Sequence, residues 1–141
     1  MILYLDTSSL VKLYVPETES AEVKQIVDAA EVIATSHLGY VEARAAFARK
    51  RRERGVTPKD YRTVLDDFEH DWDSYFLVDV SDILVKLAAR LAEKHALRGY
   101  DAIHLASAVT VRRHGDQPVT FSCFDARLSH AASREGLKII S

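Results

Sequence analysis

Residues 2–15, ILYLDTSSLVKLYV, set the frame for the rest of the chain. The four apolar residues ILYL (2–5) suit a short strand buried in the middle of a sheet, and they stop at Asp6. Thr7, Ser8 and Ser9 then offer hydroxyls for a helix start, and LVKLYV makes a short helix or turn broken at Pro16. A buried strand that runs directly into a helix opens a strand–helix–strand unit, for which a parallel or mostly parallel sheet with helices on its faces is the stable solution.

The same alternation continues outward. Ala21, Val23, Ile26, Val27 and Ala30 recur at helical spacing, and VIAT (32–35) reads as a second strand. Ser36 to Arg54 is expected as one long helix, with Leu38, Val41, Ala45 and Ala48 inward and Gly55 as its stop. Thr57, Pro58 and Asp60 form a helix-start signal, followed by Tyr61, Val64, Leu65, Phe68 and Trp72 as core positions or a dimer face. FLVDV (76–80) is a weaker strand. Ser81 caps a helix to about His95, with Ile83, Leu84, Leu87, Leu91 and Ala92 inward. A helix from Gly99 to Arg113, a strand VTFSCF (119–124), a helix from Ala126 stopped by Gly136, and a final strand LKII complete the pattern. The expectation is one α/β domain over residues 1–141, three layers deep, with about five short strands.

Composition narrows the class. At 48% hydrophobic and 28% charged residues the chain is globular, with apolar runs too short for a transmembrane span. No signal peptide is expected from a start that enters ILYLD directly, and Cys123 is the only cysteine, so an internal disulfide is excluded and the cytoplasm is the expected compartment. The net charge of −2 argues against a protein that coats nucleic acid, although Arg44, Arg49, Lys50, Arg51, Arg52 and Arg54 concentrate positive charge locally. That cluster suits contact with RNA phosphates; it equally suits an exposed helix whose C-terminal dipole favours cations.

Four acids stand where such a fold gathers ligands, at the carboxyl ends of its strands. Asp6 and Asp125 follow strands, Glu42 lies about two turns into the segment after VIAT, and Asp101 opens a helix. Two carboxylates about 4 Å apart repel by roughly 4 kcal/mol at an effective dielectric of about 20, so four in one cleft call for a cation. Oxygen donors alone suit hard ions such as Mg²⁺ or Mn²⁺. Plainer roles are open for each: helix caps for Asp6 and Asp125, a first-turn dipole charge for Asp101, and a solvent-facing position for Glu42.

The stretches MILYLDTSSLVKLYVPE, Glu42-Ala43-Arg44, LRGYDAIHLASA and FDARLSHAASREGL, in that order and over nearly the whole chain, resemble the four blocks of PIN-domain ribonucleases, particularly VapC-type toxins of toxin–antitoxin pairs. The resemblance implies a parallel-sheet PIN fold, metal-dependent endoribonuclease activity on RNA, a cognate antitoxin and a homodimer. It assigns the family's acidic residues to Asp6, Glu42, Asp101 and Asp125 as catalytic, metal-holding positions, and Ser8 to support of the first. One departure is visible: Cys123 stands where VapC-like chains often carry Thr or Ser, with Ser122 expected on the opposite face.

His104 shares a helix face with Asp101 and suits either a metal ligand or proton donor or a packed core histidine. Cys123 reads as a small core residue. Two other functions fit parts of the pattern. A non-catalytic PIN-like module would use the cleft only for binding, and a phosphoacceptor domain would use Asp79, though that chemistry needs paired acids after the first strand and Asp6 is followed by Thr7 and Ser8.

Overall fold

The computed structural model describes residues 1–140. Its elements are β1 (Ile2–Leu5), α1 (Thr7–Tyr14), α2 (Ser20–Ala29), β2 (Val32–Ser36), α3 (Leu38–Arg52), α4 (Pro58–Trp72), β3 (Phe76–Val78), α5 (Asp82–His95), α6 (Gly99–Arg113), β4 (Val119–Ser122), α7 (Ala126–Arg134) and β5 (Lys138–Ile140). The five strands form one sheet in the order β3-β2-β1-β4-β5, with every pair parallel.

Strand β1 is central because its side chains serve both faces. Leu3 and Leu5 enter one apolar cluster with Leu10, Phe47 and Phe68, whereas Tyr4 enters the other with Leu105, Phe121 and Leu128. This is the period-two alternation of a strand buried on both sides. Helices α1 to α4 cover the first face and α5 to α7 the second, giving three layers. Tyr4 pairs in register with Phe121 of β4, and the two rings stack with centroids 5.5 Å apart.

The first face is held by aromatic packing. Phe68 is fully buried, with the rings of Tyr14, Phe47 and Trp72 at 5.3, 5.3 and 5.4 Å. Truncating such a residue to Ala costs about 3–5 kcal/mol. Of the α4 aromatics Phe68 is core, and Tyr61 and Trp72 are partly buried against the same cluster. Thr57 caps that helix through Asp60 N–H at 3.1 Å, and Ser81 caps α5 through Leu84 N–H at 3.1 Å.

Two helix faces differ from expectation. In α3 the buried residues are Gly39, Ala43 and Phe47, while Val41 is 59% exposed. The helix sits close to the sheet at Gly39, where an added Cβ would meet Thr35 Oγ1 at 3.2 Å, and Phe47 carries the packing mass. In α5, Leu84, Ala88 and Leu91 turn inward and Ile83 is exposed. The stop of α3 is also shifted: Arg54, with φ 61°, takes the left-handed position, and Gly55 N–H closes back on the Lys50 carbonyl at 2.9 Å. Among the described residues no helix is long and apolar enough to cross a membrane.

Candidate active site

Because every strand is parallel, the carboxyl ends share one edge of the sheet, and the strand order reverses between β1 and β4. Chains leaving two such neighbours turn to opposite faces and open a crevice. Asp6 leaves β1 there, its N–H reaching the Ser122 carbonyl of β4 at 3.2 Å. Asp125 follows β4 on the other side of the same crevice.

Asp6 is 5% exposed and caps α1. Its Oδ1 accepts from Ser9 N–H at 2.9 Å and from the Ser8 hydroxyl at 2.8 Å. Burial raises the Asp6 pKa above its ordinary range; the His104 ring and the Ser9 and Ser8 donors oppose that shift without cancelling it. Glu42 reaches in from the second turn of α3, and its Oε1 accepts from the Thr7 hydroxyl at 2.6 Å and from His104 Nε2 at 3.0 Å. Partial burial alone would raise the Glu42 pKa, but the His104 and Thr7 bonds outweigh it and hold the carboxyl below its ordinary value.

The other two acids belong to a different environment. Asp101, in the first turn of α6, accepts at Oδ2 from Arg98, with Nε and Nη2 both 3.2 Å away. Arg98 Nη2 is also 4.0 Å from Asp125 Oδ2, so one guanidinium serves both carboxylates. Asp125 caps α7 through Leu128 N–H at 2.9 Å, and its side chain is 45% exposed. Asp6 and Asp125 thus fill the cap roles open to them while standing at the crevice.

Of the four acids only Asp101 and Asp125 share a partner, Arg98; Asp6 and Glu42 are each held by donors of their own. The donors thus differ along the cleft, with Ser8 and Ser9 on Asp6, Thr7 and His104 on Glu42, and Arg98 on Asp101 and Asp125. Among the described residues no group of three or more His, Cys, Asp or Glu side chains is arranged to hold a metal ion as it stands. The donor chemistry nevertheless fits a hard divalent ion. The protein bonds of Asp6 fall on Oδ1 and those of Glu42 on Oε1, so each carboxylate is tethered by one oxygen and has its second directed to no protein donor.

His104 is neither an isolated core ring nor a side chain free to act as a ligand. It is 2% exposed, with Nδ1 2.8 Å from the Tyr4 hydroxyl and Nε2 facing Glu42 and Thr7, both at 3.0 Å. Thr7, Tyr4 and Arg98 are the residues that sequence reasoning missed as parts of the site. Arg98 had a local signal, a cation three residues before an acid at a helix start. Tyr4 had none, since it lies 100 residues from its partner.

Cys123 is fully buried, its sulfur 3.2 Å from the Ser129 hydroxyl, and burial pushes the thiol up to about 11. Ser122 Oγ turns to Ser9 Oγ at 2.9 Å, on the opposite face as expected. Asp79 stands beyond the edge strand β3, paired with His37 Nδ1 at 2.7 Å and away from the β1–β4 switch point. The cationic cluster does not act as one patch. Arg44 is tied to Glu69 at 2.8 Å and Lys50 to Glu17 at 3.2 Å, and Arg51 lies over the Tyr61 ring at 5.5 Å. Arg51 is nine residues beyond Glu42 on α3, roughly 13 Å along the helix axis.

Comparison with known proteins agrees with this fold. The PIN domain family profile matches residues 3–134. Ribonuclease VapC45 of Mycobacterium tuberculosis (strain CDC 1551 / Oshkosh) is 34% identical over 142 residues, covering 98% of this chain and 94% of that protein. In fold, the chain is similar to the crystal structure of FitAcB from Neisseria gonorrhoeae, with a TM-score of 0.72 at 17% identity over 100% of this chain and 97% of that one. A toxin–antitoxin complex from Klebsiella pneumoniae matches with a TM-score of 0.60 at 18% identity, over 87% and 86% of the two chains. With the profile spanning nearly all of the described residues, this chain belongs to the PIN-domain family and, within it, to the VapC type.

Proposed function

We propose that the chain is a divalent-metal-dependent endoribonuclease that acts as the toxin of a toxin–antitoxin pair. The observation that carries this reading is the pairing of Asp6 with the β1–β4 switch point: a buried carboxylate, tethered by Ser8 and Ser9 through one oxygen only, at the place where this sheet opens to a ligand. The VapC45 relative, a ribonuclease by name, and the toxin–antitoxin complex among the structural neighbours support the activity and the partner.

Asp6 and Asp101 would hold the ion, Mg²⁺ or Mn²⁺, with Glu42 and Asp125 assisting. When bound, the ion supplies Lewis acidity and positive charge beside the scissile phosphate. The chain's own residues do the rest. Ser8 and Ser9 fix the Asp6 carboxylate, and Thr7 and His104 fix that of Glu42, so neither needs to be ordered when RNA arrives. Arg98 neutralises Asp101 and Asp125, and its position at the rim lets it turn to a phosphate once those acids have another cation. Arg49, Arg52 and Arg54, on the distal part of α3 and just beyond it, would hold flanking RNA rather than the cleaved bond.

The antitoxin would close the same cleft. Arg98 shows within this chain that a guanidinium suits Asp101 and Asp125 together, and an inhibitory segment presenting Arg would use that chemistry. We further take the working form to be a cytoplasmic homodimer. The test is cleavage of a defined RNA by purified protein with added Mg²⁺ or Mn²⁺, against chelator and against Asp101→Asn. Metal-dependent cutting that disappears in the variant is expected; equal cutting by parent and variant would overturn the assignment.

A further inference from the structure

Beneath the cleft a line of hydrogen bonds runs from the sheet to Glu42. Tyr4 lies in the middle of β1 and is fully buried, and burial pushes its phenol pKa upward, so the hydroxyl keeps its proton. That hydroxyl is 2.8 Å from His104 Nδ1, and the two rings meet edge-on with centroids 5.8 Å apart. A phenol that donates to Nδ1 makes that nitrogen an acceptor and puts the ring proton on Nε2. The Nε2–H then faces Glu42 Oε1 and Thr7 Oγ1, both at 3.0 Å, and Thr7 gives its own proton to Glu42 Oε1 at 2.6 Å. With that tautomer every proton in this line points from core to cleft.

We propose that His104, with its tautomer set by Tyr4, is a positioning residue that fixes the Glu42 carboxylate for the divalent ion, anchoring Oε1 and leaving Oε2 to the cleft. The proposal rests on the reading of Glu42 as an ion-holding residue. Both ring nitrogens are occupied within the protein, so His104 acts through Glu42 and not on the ion or the RNA. A glutamate on a helix surface otherwise spreads over several rotamers, and holding it in one before the ion arrives removes an entropy cost from binding. The anchor is rigid because it is built on β1, the central strand, rather than on a loop.

The tautomer is read directly from imidazole ¹⁵N chemical shifts in the metal-free protein. The expected result is an unprotonated Nδ1 and a protonated Nε2 in the parent, with that preference weakened in Tyr4→Phe; a protonated Nδ1 in the parent would overturn the proposal. Calorimetric titration with Mn²⁺ supplies the second readout. His104→Ala is expected to weaken Mn²⁺ binding about 10- to 100-fold. His104→Gln, whose amide can still donate to Glu42, restores most of that loss, and the RNA effect falls on kcat rather than KM. Parent-like Mn²⁺ affinity in both His104 variants, beside a clear loss in Asp101→Asn, would overturn this role alone. Parent-like affinity in Asp101→Asn would instead bring down the metal reading beneath it. If His104→Ala does not fold, the ¹⁵N measurement on the parent still decides.

Discussion

The two halves of the cleft solve the same electrostatic problem in opposite ways. On the Asp6–Glu42 side the carboxylates, that of Asp6 buried, are tethered by hydroxyls, a backbone N–H and an imidazole that packs against β1. Asp101 and Asp125 instead share one cation, Arg98, whose own side chain is 82% exposed. Hydroxyl and backbone N–H tethers orient a charge without cancelling it, whereas an exposed ion pair cancels charge but is worth little as an anchor. The first half is built to hold a fixed charge, and the second to exchange one cation for another.

The largest expected effect lies on the fixed side. Asp6→Asn should reduce RNA cleavage by at least about 100-fold, since it removes a preorganised charge from a buried position. The fold should survive, because Asn keeps an acceptor for Ser9 N–H and remains a good helix cap. Cleavage assays beside circular dichroism check both halves of that statement.

Stability against pH, measured in chelator, sharpens the contrast within the fixed side. The folded-state pKa of Asp6 is raised, so the folded protein loses stability as pH climbs from the ordinary Asp value near 4 through the raised one, and Asp6→Asn should abolish that loss. Glu42 is lowered, so its stabilisation is present above the ordinary Glu value near 4.3 and fades as pH falls through the depressed one. Differences in Tm between parent and Asp6→Asn, and between parent and Glu42→Gln, should therefore follow pH with opposite slopes. Equal slopes would mean that the two carboxylates do not differ as their surroundings require.

Smaller effects belong to the exchangeable side. Arg98→Gln should tighten Mn²⁺ binding by a few-fold, because an exposed pair is worth about 0.2–1 kcal/mol, and RNA binding should weaken in the same variant. Asp125→Ala should cost about 1 kcal/mol of stability through loss of the α7 cap, and Asp125→Asn almost none. A large drop in cleavage for Asp125→Asn would move that residue to the fixed side.

Much of this was legible along the chain because it is written locally. The apolar run ILYL ending at Asp6, the Thr57–Pro58 start and the Ser81 cap each need only a few consecutive residues, and all appear in the fold. Faces of helices were less legible. Helix α3 has two apolar sets at helical spacing, and only the close approach at Gly39 and the bulk of Phe47 decide which one meets the sheet. Helix α5 shows the same ambiguity, with Ile83 beside Leu84 and only Leu84 buried. The tethering of Glu42 was not legible at all. It depends on α6 crossing over β1, which brings Tyr4 to His104 and His104 to Glu42 across 100 and 62 residues of chain.

The central claim is that both halves close on one cation, and a crystal grown with Mn²⁺ tests it most directly. The account predicts an anomalous peak within direct coordination distance, about 2.0–2.6 Å, of Asp6 and Asp101 carboxylate oxygens, with Arg98 turned away from Asp101. A fully loaded crystal with no peak at Asp6, or one in which Arg98 still holds Asp101, would contradict it.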